Sequence, residues 1–315
     1  MKRFKKILKW TGMILLVVIA GISIIAASRQ NLKYDAPYPD IRASADTAVI
    51  ARGRHLVYNV PHCVGCHSGP DRNIDSFDLT KEDLPLTGGR LFDFPVGKLY
   101  AKNITPDKET GIGNLTDAEI ARVLYHGVKP DGTVVYDFMP FHNVSKEDMT
   151  AIISYLRVQK PVRYKVPEHN LNVLGNLVKA FMVKPVGPNG PIPDSVKKDS
   201  TAEYGKYLAT YVADCKGCHT KRDISGAFVG EPFAGGVPME ENGLSPLTPP
   251  NLTPDPTGRI YEWTQEAFIN RFRMGKVIPH SPMHWTSFKG MDDDELKAIY
   301  KYLRTLKPVK IIEEK

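Results

Sequence analysis

Two copies of the pattern C-x-x-C-H constrain this chain more than any other feature: Cys63-Val64-Gly65-Cys66-His67 and Cys215-Lys216-Gly217-Cys218-His219. Together they use all four cysteines of the sequence. Two thiols one helical turn apart can each add to one vinyl group of a single porphyrin, and the histidine that follows is then placed under the iron. The pattern therefore predicts two covalently bound haem c groups, attached through Cys63 and Cys66 and through Cys215 and Cys218, with His67 and His219 as axial iron ligands. A zinc site made from both motifs would require them to meet, although a domain's length separates them. A thioredoxin-like pair has no use for the following histidine, twice. No cysteine is left over for a disulfide, a nucleophile or a thiolate axial ligand.

A chain of 315 residues with 42 % hydrophobic content is long enough for about two cored domains. Its formal charge of +7 is concentrated at one end, where Lys2, Arg3, Lys5, Lys6 and Lys9 stand together. The remainder is near neutral, and haem propionates would make it slightly acidic, so nucleic acid is not an expected partner. An apolar run follows the basic cluster, from Trp10 to Ala27. Basic flank and apolar core predict an uncleaved signal anchor over residues 1–28, with the lysines in the cytoplasm. A cleaved signal ending near Ala26-Ala27-Ser28 is the competing reading. Both export the rest of the chain to the periplasm, where bacterial c-type haem is attached.

Residues 29–45 are polar and proline-bearing and read as a tether. A short helix over Asp46–Tyr58 leads to the first motif, and a loop-rich stretch, 68–113, follows it. Such a long loop is unusual in a compact domain, and a porphyrin at its centre accounts for it. Thr116-Asp117-Ala118-Glu119 opens a helix with a capping box and Gly127 ends it. Ser145 caps a last helix carrying Met149, Ile152, Ile153 and Leu156 at helical spacing. An apolar piece, Leu171–Val183, is too short to span a membrane. It is expected to pack on a domain or between two. A stiff proline-rich linker, 185–193, comes next.

The second half repeats the first. Gly53 and Gly205 each precede their motif by ten residues, Pro85-x-x-Gly88-Gly89 answers to Pro232-x-x-Gly235-Gly236, and Asn103-Ile104-Thr105-Pro106-Asp107 answers to Asn251-Leu252-Thr253-Pro254-Asp255. The expected organisation is a domain over 46–165, a connector over 166–199, a second domain over 200–309 and a tail over 310–315. Each iron then needs a sixth ligand. In the first half Met139, beside Pro140, is expected, ahead of His126, His142 and the core-facing Met149. In the second half the matching residue is Met283, with His284 next, His280 and Met239 nearby, and Met274 assigned to packing. A thioether ligand favours reduced iron and suits electron transfer.

These motifs, from Ala45 to Val309, resemble a di-haem bacterial cytochrome c built from two tandem class I cytochrome c domains. The chain is similar to the cytochrome subunits of membrane-bound quinoprotein alcohol dehydrogenases and gluconate-type dehydrogenases. The resemblance implies an all-α, loop-rich fold around haem, preceded by the N-terminal transmembrane helix. It implies helix crossings at Gly53 with Tyr155 and at Gly205 with Tyr302, and an Asn-Thr-Pro-Asp loop on the methionine side of the haem. Two features depart from the family: such subunits usually carry three haem domains, and Met283 lacks a following proline. Trp263 keeps a family tryptophan, whose indole N–H either meets a propionate or a backbone carbonyl.

The function expected is a single-pass inner-membrane cytochrome with its haem domains on the periplasmic side. It passes electrons between a dehydrogenase or other donor and a downstream acceptor such as a cytochrome or oxidase, and takes no small-molecule substrate. The rival class is a di-haem peroxidase, which needs one displaceable ligand and an acid–base group beside it. A third reading, a subunit of a periplasmic dehydrogenase complex, differs only in partner.

Overall fold

The computed structural model describes residues 2–70, 72–139, 141–223, 226–240 and 245–311. Pro140 and residues 312–315 of the expected tail lie outside them. Helix α1 (Lys2–Ser28) is long and apolar enough to cross a membrane. The segment after it is extended, yet it is packed down: the Tyr34 amide donates to Gly132 O at 2.8 Å, Arg122 donates to the Tyr38 hydroxyl at 2.7 Å, and Ile41 is buried. The segment read as a tether is thus strapped across the first half.

Two helix pairs form the scaffold. In the first, α2 (Thr47–Asn59, capped by Asp46) leads into α3 (Cys63–His67) and crosses α5 (Lys146–Val158, capped by Ser145), with α4 (Asp117–His126) alongside. The predicted capping box at Thr116 and Glu119 is formed, and Gly127 ends α4 at φ 66°. Helix α6 (Val173–Phe181) follows in the connector. In the second pair, α7 (Ala202–Tyr207) leads towards α8 (Cys215–His219) and crosses α11 (Asp293–Thr305), with α9 (Gln265–Arg273) and the single turn α10 (Trp285–Phe288) between.

Each crossing is as close as a glycine permits. A Cβ on Gly53 would lie 1.9 Å from Ala151 O, and one on Gly205 would lie 1.9 Å from Ala298 O. Tyr155 flanks the first crossing. At the second, the nearest atoms belong to Ala298 and Ile299, while the Tyr302 ring packs edge-on to Phe233 at 5.6 Å.

The apolar cores of the two pairs are continuous. Polar groups join them too: Arg52 on α2 reaches Asp148 on α5 (3.1 Å), Glu295 on α11 (2.9 Å) and the Tyr204 hydroxyl on α7 (3.1 Å). Tyr207 OH donates to Asp148 at 2.9 Å, and His55 meets Glu295 at 2.8 Å. The proline-rich connector returns to the start of α5, where Pro193 O and Asp194 O accept from the amides of Lys146 and Glu147. These donors have no partner within their own helix.

The all-helical expectation needs one correction. Within the stretch read as loop, β1 (Leu91–Phe94) and β2 (Gly97–Tyr100) form a hairpin, to which β3 (Asn170–Leu171) adds in antiparallel register. Gly97, at φ 120°, closes the turn against the backbone of Asn170 and Leu171, and this sheet delivers the chain into α6. The protein is mostly helical with this small sheet at one edge.

A candidate haem-binding site with a repeated histidine clamp

Both C-x-x-C-H segments adopt the same local structure. The residue before the first cysteine is left-handed in each case, His62 at φ 49° and Asp214 at φ 48°, and a five-residue helix follows. This turn sets the two thiols of each motif on one side of the helix. None of the four cysteines is in a disulfide, and burial pushes the Cys63 and Cys215 thiols up to about 12.

Each histidine is clamped twice. His67 Nδ1 lies 2.6 Å from Lys102 O, and His219 Nδ1 lies 2.8 Å from Pro250 O. A carbonyl can only accept, so Nδ1 carries the proton and Nε2 keeps its lone pair, as a metal-ligating imidazole requires. Burial holds both imidazoles below the usual histidine range, against the opposing effect of these bonds. The paired glycines supply the second clamp: Gly88 N donates to His67 O (2.7 Å) and Gly235 N to His219 O (3.0 Å). The next amides, of Gly89 and Gly236, donate to Ala101 O and Pro249 O.

The Asn-Thr-Pro-Asp segments start directly after the carbonyls that hold the histidines. They therefore stand on the histidine side, which corrects the methionine-side placement. Asn103 Oδ1 accepts from the Thr105 amide and hydroxyl, and its Nδ2 donates to Val162 O. Asn251 does the same with Thr253 and Val309 O. The asparagine ties the histidine loop to the chain leaving the last helix of each half.

Cys63, Cys66, His67 and Met139 line a cavity of about 1780 Å³ that continues to Cys215, Cys218, His219 and Met283. Its walls are largely apolar side chains, so a planar hydrophobic cofactor with polar edges fits the space and the donor set. Met239 and Trp263 also line it. The Trp263 carbonyl accepts from Tyr300 OH at 2.7 Å.

Two of the competing histidines are held by other partners. His142 is buried, with Nδ1 on Tyr125 O (2.7 Å) and Nε2 on Asp137 (2.9 Å), so neither nitrogen is available to iron. His284 lies against the first motif: its ring stacks on His62 with centroids 3.8 Å apart, and its Nδ1 faces Gly65. Burial lowers His284 to about 4. Met149 is core, as expected, whereas Met274 is 63 % exposed. Its place one residue before the helix-ending Gly275 suggested packing, but the side chain falls on the open face of α9.

Paired thiols, each pair followed by a histidine whose Nε2 keeps its lone pair and lining a largely apolar cavity, fit a c-type haem. Residues 202–307 match the Cytochrome c family model, a domain that indicates covalently bound haem c. It is 30 % identical to the cytochrome c subunit of a quinone alcohol dehydrogenase from Gluconacetobacter polyoxogenes, over 84 % of this chain and 57 % of that protein. It is 26 % identical to the cytochrome c subunit of gluconate 2-dehydrogenase from Pantoea cypripedii, over 90 % of this chain and 65 % of that one. A diheme cytochrome c-type protein of Cereibacter sphaeroides is 25 % identical over 93 % of this chain and 96 % of its own length. The chain thus spans little more than half the length of the alcohol dehydrogenase subunit it matches.

Proposed function

We propose that this protein is a di-haem electron carrier of the periplasmic face, anchored in the inner membrane by α1, that takes electrons from a dehydrogenase and passes them to a downstream acceptor. The observation that carries the reading is the repetition of the histidine clamp at His67 and His219, which supports one haem site per half. The sites belong to two tandem class I cytochrome c units, 46–165 and 200–309. The relatives named above, two of them cytochrome subunits of dehydrogenases, support the choice of donor.

In this reading Cys63 and Cys66, and Cys215 and Cys218, would hold the haems through thioethers. His67 and Met139, and His219 and Met283, would supply the donors to the two irons. A haem held there would supply one-electron transfer. The residues do the rest. The Lys102 and Pro250 carbonyls fix each imidazole's orientation and raise its basicity. A thioether at Met139 and Met283 favours the reduced state. The apolar walls keep water from the iron, so little reorganises when the charge changes.

A potentiometric titration of the purified full chain, followed in the visible spectrum, tests this. Two one-electron transitions from low-spin iron, without turnover of hydrogen peroxide, are expected. High-spin iron with rapid peroxide turnover would instead identify a peroxidase.

A further inference from the structure

Helix α6 is inside-out for a helix on a water-soluble surface. At 3.6 residues per turn, Val173, Leu174, Leu177, Val178, Phe181 and the C-cap Met182 share one half of its circumference. Gly175, Asn176, Lys179 and Ala180 share the other. A surface helix of a soluble domain turns its apolar stripe to the core. Here the small and polar half packs inward. A Cβ on Gly175 would lie 1.9 Å from Val96 O in the hairpin turn, and Ala180 is buried. The apolar half looks outward, with Val173 79 %, Leu174 52 %, Phe181 43 % and Met182 52 % exposed.

What covers this face is indicated by where α6 is tied. Arg29 Nε donates to Ala180 O and Gln30 Nε2 to Asn176 O, both at 2.9 Å, and the Arg29 guanidinium sits 5.7 Å from the Phe181 ring centroid. Arg29 and Gln30 are the first residues after α1, whose last turn also buries Ala26. The apolar face is thus fixed within a turn of the point where a membrane-spanning α1 leaves the bilayer. Lys184, exposed just beyond α6, offers a cation at the same level.

We propose that α6 lies in the outer-leaflet interface of the membrane with its Val173–Met182 face among the acyl chains, as a second contact beside α1. Amphipathic helices of this kind sink their apolar face to roughly 5–10 Å. The inference rests on the reading of α1 as a retained anchor. It gives the haem domains a defined orientation on the membrane, which a single helix followed by a flexible tether would not. Asn176, Lys179 and Val183 also line the haem cavity, so its first-half end is held against the bilayer.

The test uses the full holo-protein in vesicles of phosphatidylethanolamine and phosphatidylglycerol doped with a phospholipid carrying a diazirine on its acyl chain. After irradiation, lipid adducts are mapped by mass spectrometry. Adducts in both 10–27 and 173–182 are expected. In an L174Q/F181Q variant, whose exposed substitutions leave the haem spectrum unchanged, the adducts at 173–182 should fall several-fold and those in α1 should stay. Adducts in α1 alone would overturn the inference and leave the anchor standing, the face then being covered by a protein partner. Adducts in neither would overturn both. Unchanged labelling of the variant would also refute it.

Discussion

Replacing Arg52 by methionine removes a cation that joins all four scaffold helices. Burial works against its charge, but the carboxylates of Asp148 and Glu295 outweigh that and keep the guanidinium protonated far above any working pH. Without it, Asp148, with no exposed side-chain surface, and Glu295, 4 % exposed, are left as buried anions. Breaking one partner out of a buried ion pair costs about 3–5 kcal/mol. Tyr207 and His55 retain bonds to the two carboxylates, which places the expected loss near 3 kcal/mol, the lower end. The assay is urea denaturation of the holo-protein in detergent, followed by far-UV circular dichroism and by the haem absorption. Because the guanidinium bonds to both helix pairs, the variant should also unfold in two separated steps where the parent unfolds in one. The triple variant R52M/D148N/E295Q should recover much of the loss, since removing all the charges leaves none stranded. A loss for R52M below about 1 kcal/mol, the level of an exposed pair, would refute the argument.

Three further outcomes follow from the same geometry. Burial raises Glu295, but His55 and Arg52 more than compensate and hold it at about 2, down from 4.5. A depressed carboxylate stabilises the fold above its unfolded pKa, so about 3 kcal/mol should be lost as pH falls from 4.5 through 2, and E295Q should flatten that part of the stability–pH profile. Gly53→Ala and Gly205→Ala should each destabilise by about 1–3 kcal/mol in thermal melts, because the clash is with backbone carbonyls that cannot rotate away; a stabilisation would mean that the crossings are looser than described. Met283→Leu should abolish the near-infrared iron–methionine band of one haem while His284→Phe preserves it, and the reverse would assign the ligand to His284.

The motifs and the repeat were legible because their causes are local. The C-x-x-C-H spacing, the capping box at Thr116 and the close-approach glycines Gly53 and Gly205 each impose a backbone geometry that residue type reveals. The clamp on the histidines was not, since Lys102 and Pro250 act through carbonyls, which every residue possesses. The repeated Gly-Gly pairs did mark it, as donors to the histidine backbone. The hairpin at 91–100 was hidden by the shortness of its strands. The burial of His142 was not legible because its partners, Tyr125 O and Asp137, come together only in the folded chain. The Arg52 network depends on the approach of the two helix pairs, which no local pattern encodes. The direction of α6 was invisible for the same reason: periodicity finds an apolar face but does not say whether protein or lipid meets it.

The central claim, two haem c groups each held between a clamped histidine and a methionine, is tested most directly by near-infrared magnetic circular dichroism of the oxidised full chain, normalised to protein. The account predicts charge-transfer intensity for two low-spin histidine–methionine irons per chain. Intensity for a single iron, or a high-spin or bis-histidine signature at either site, would contradict it.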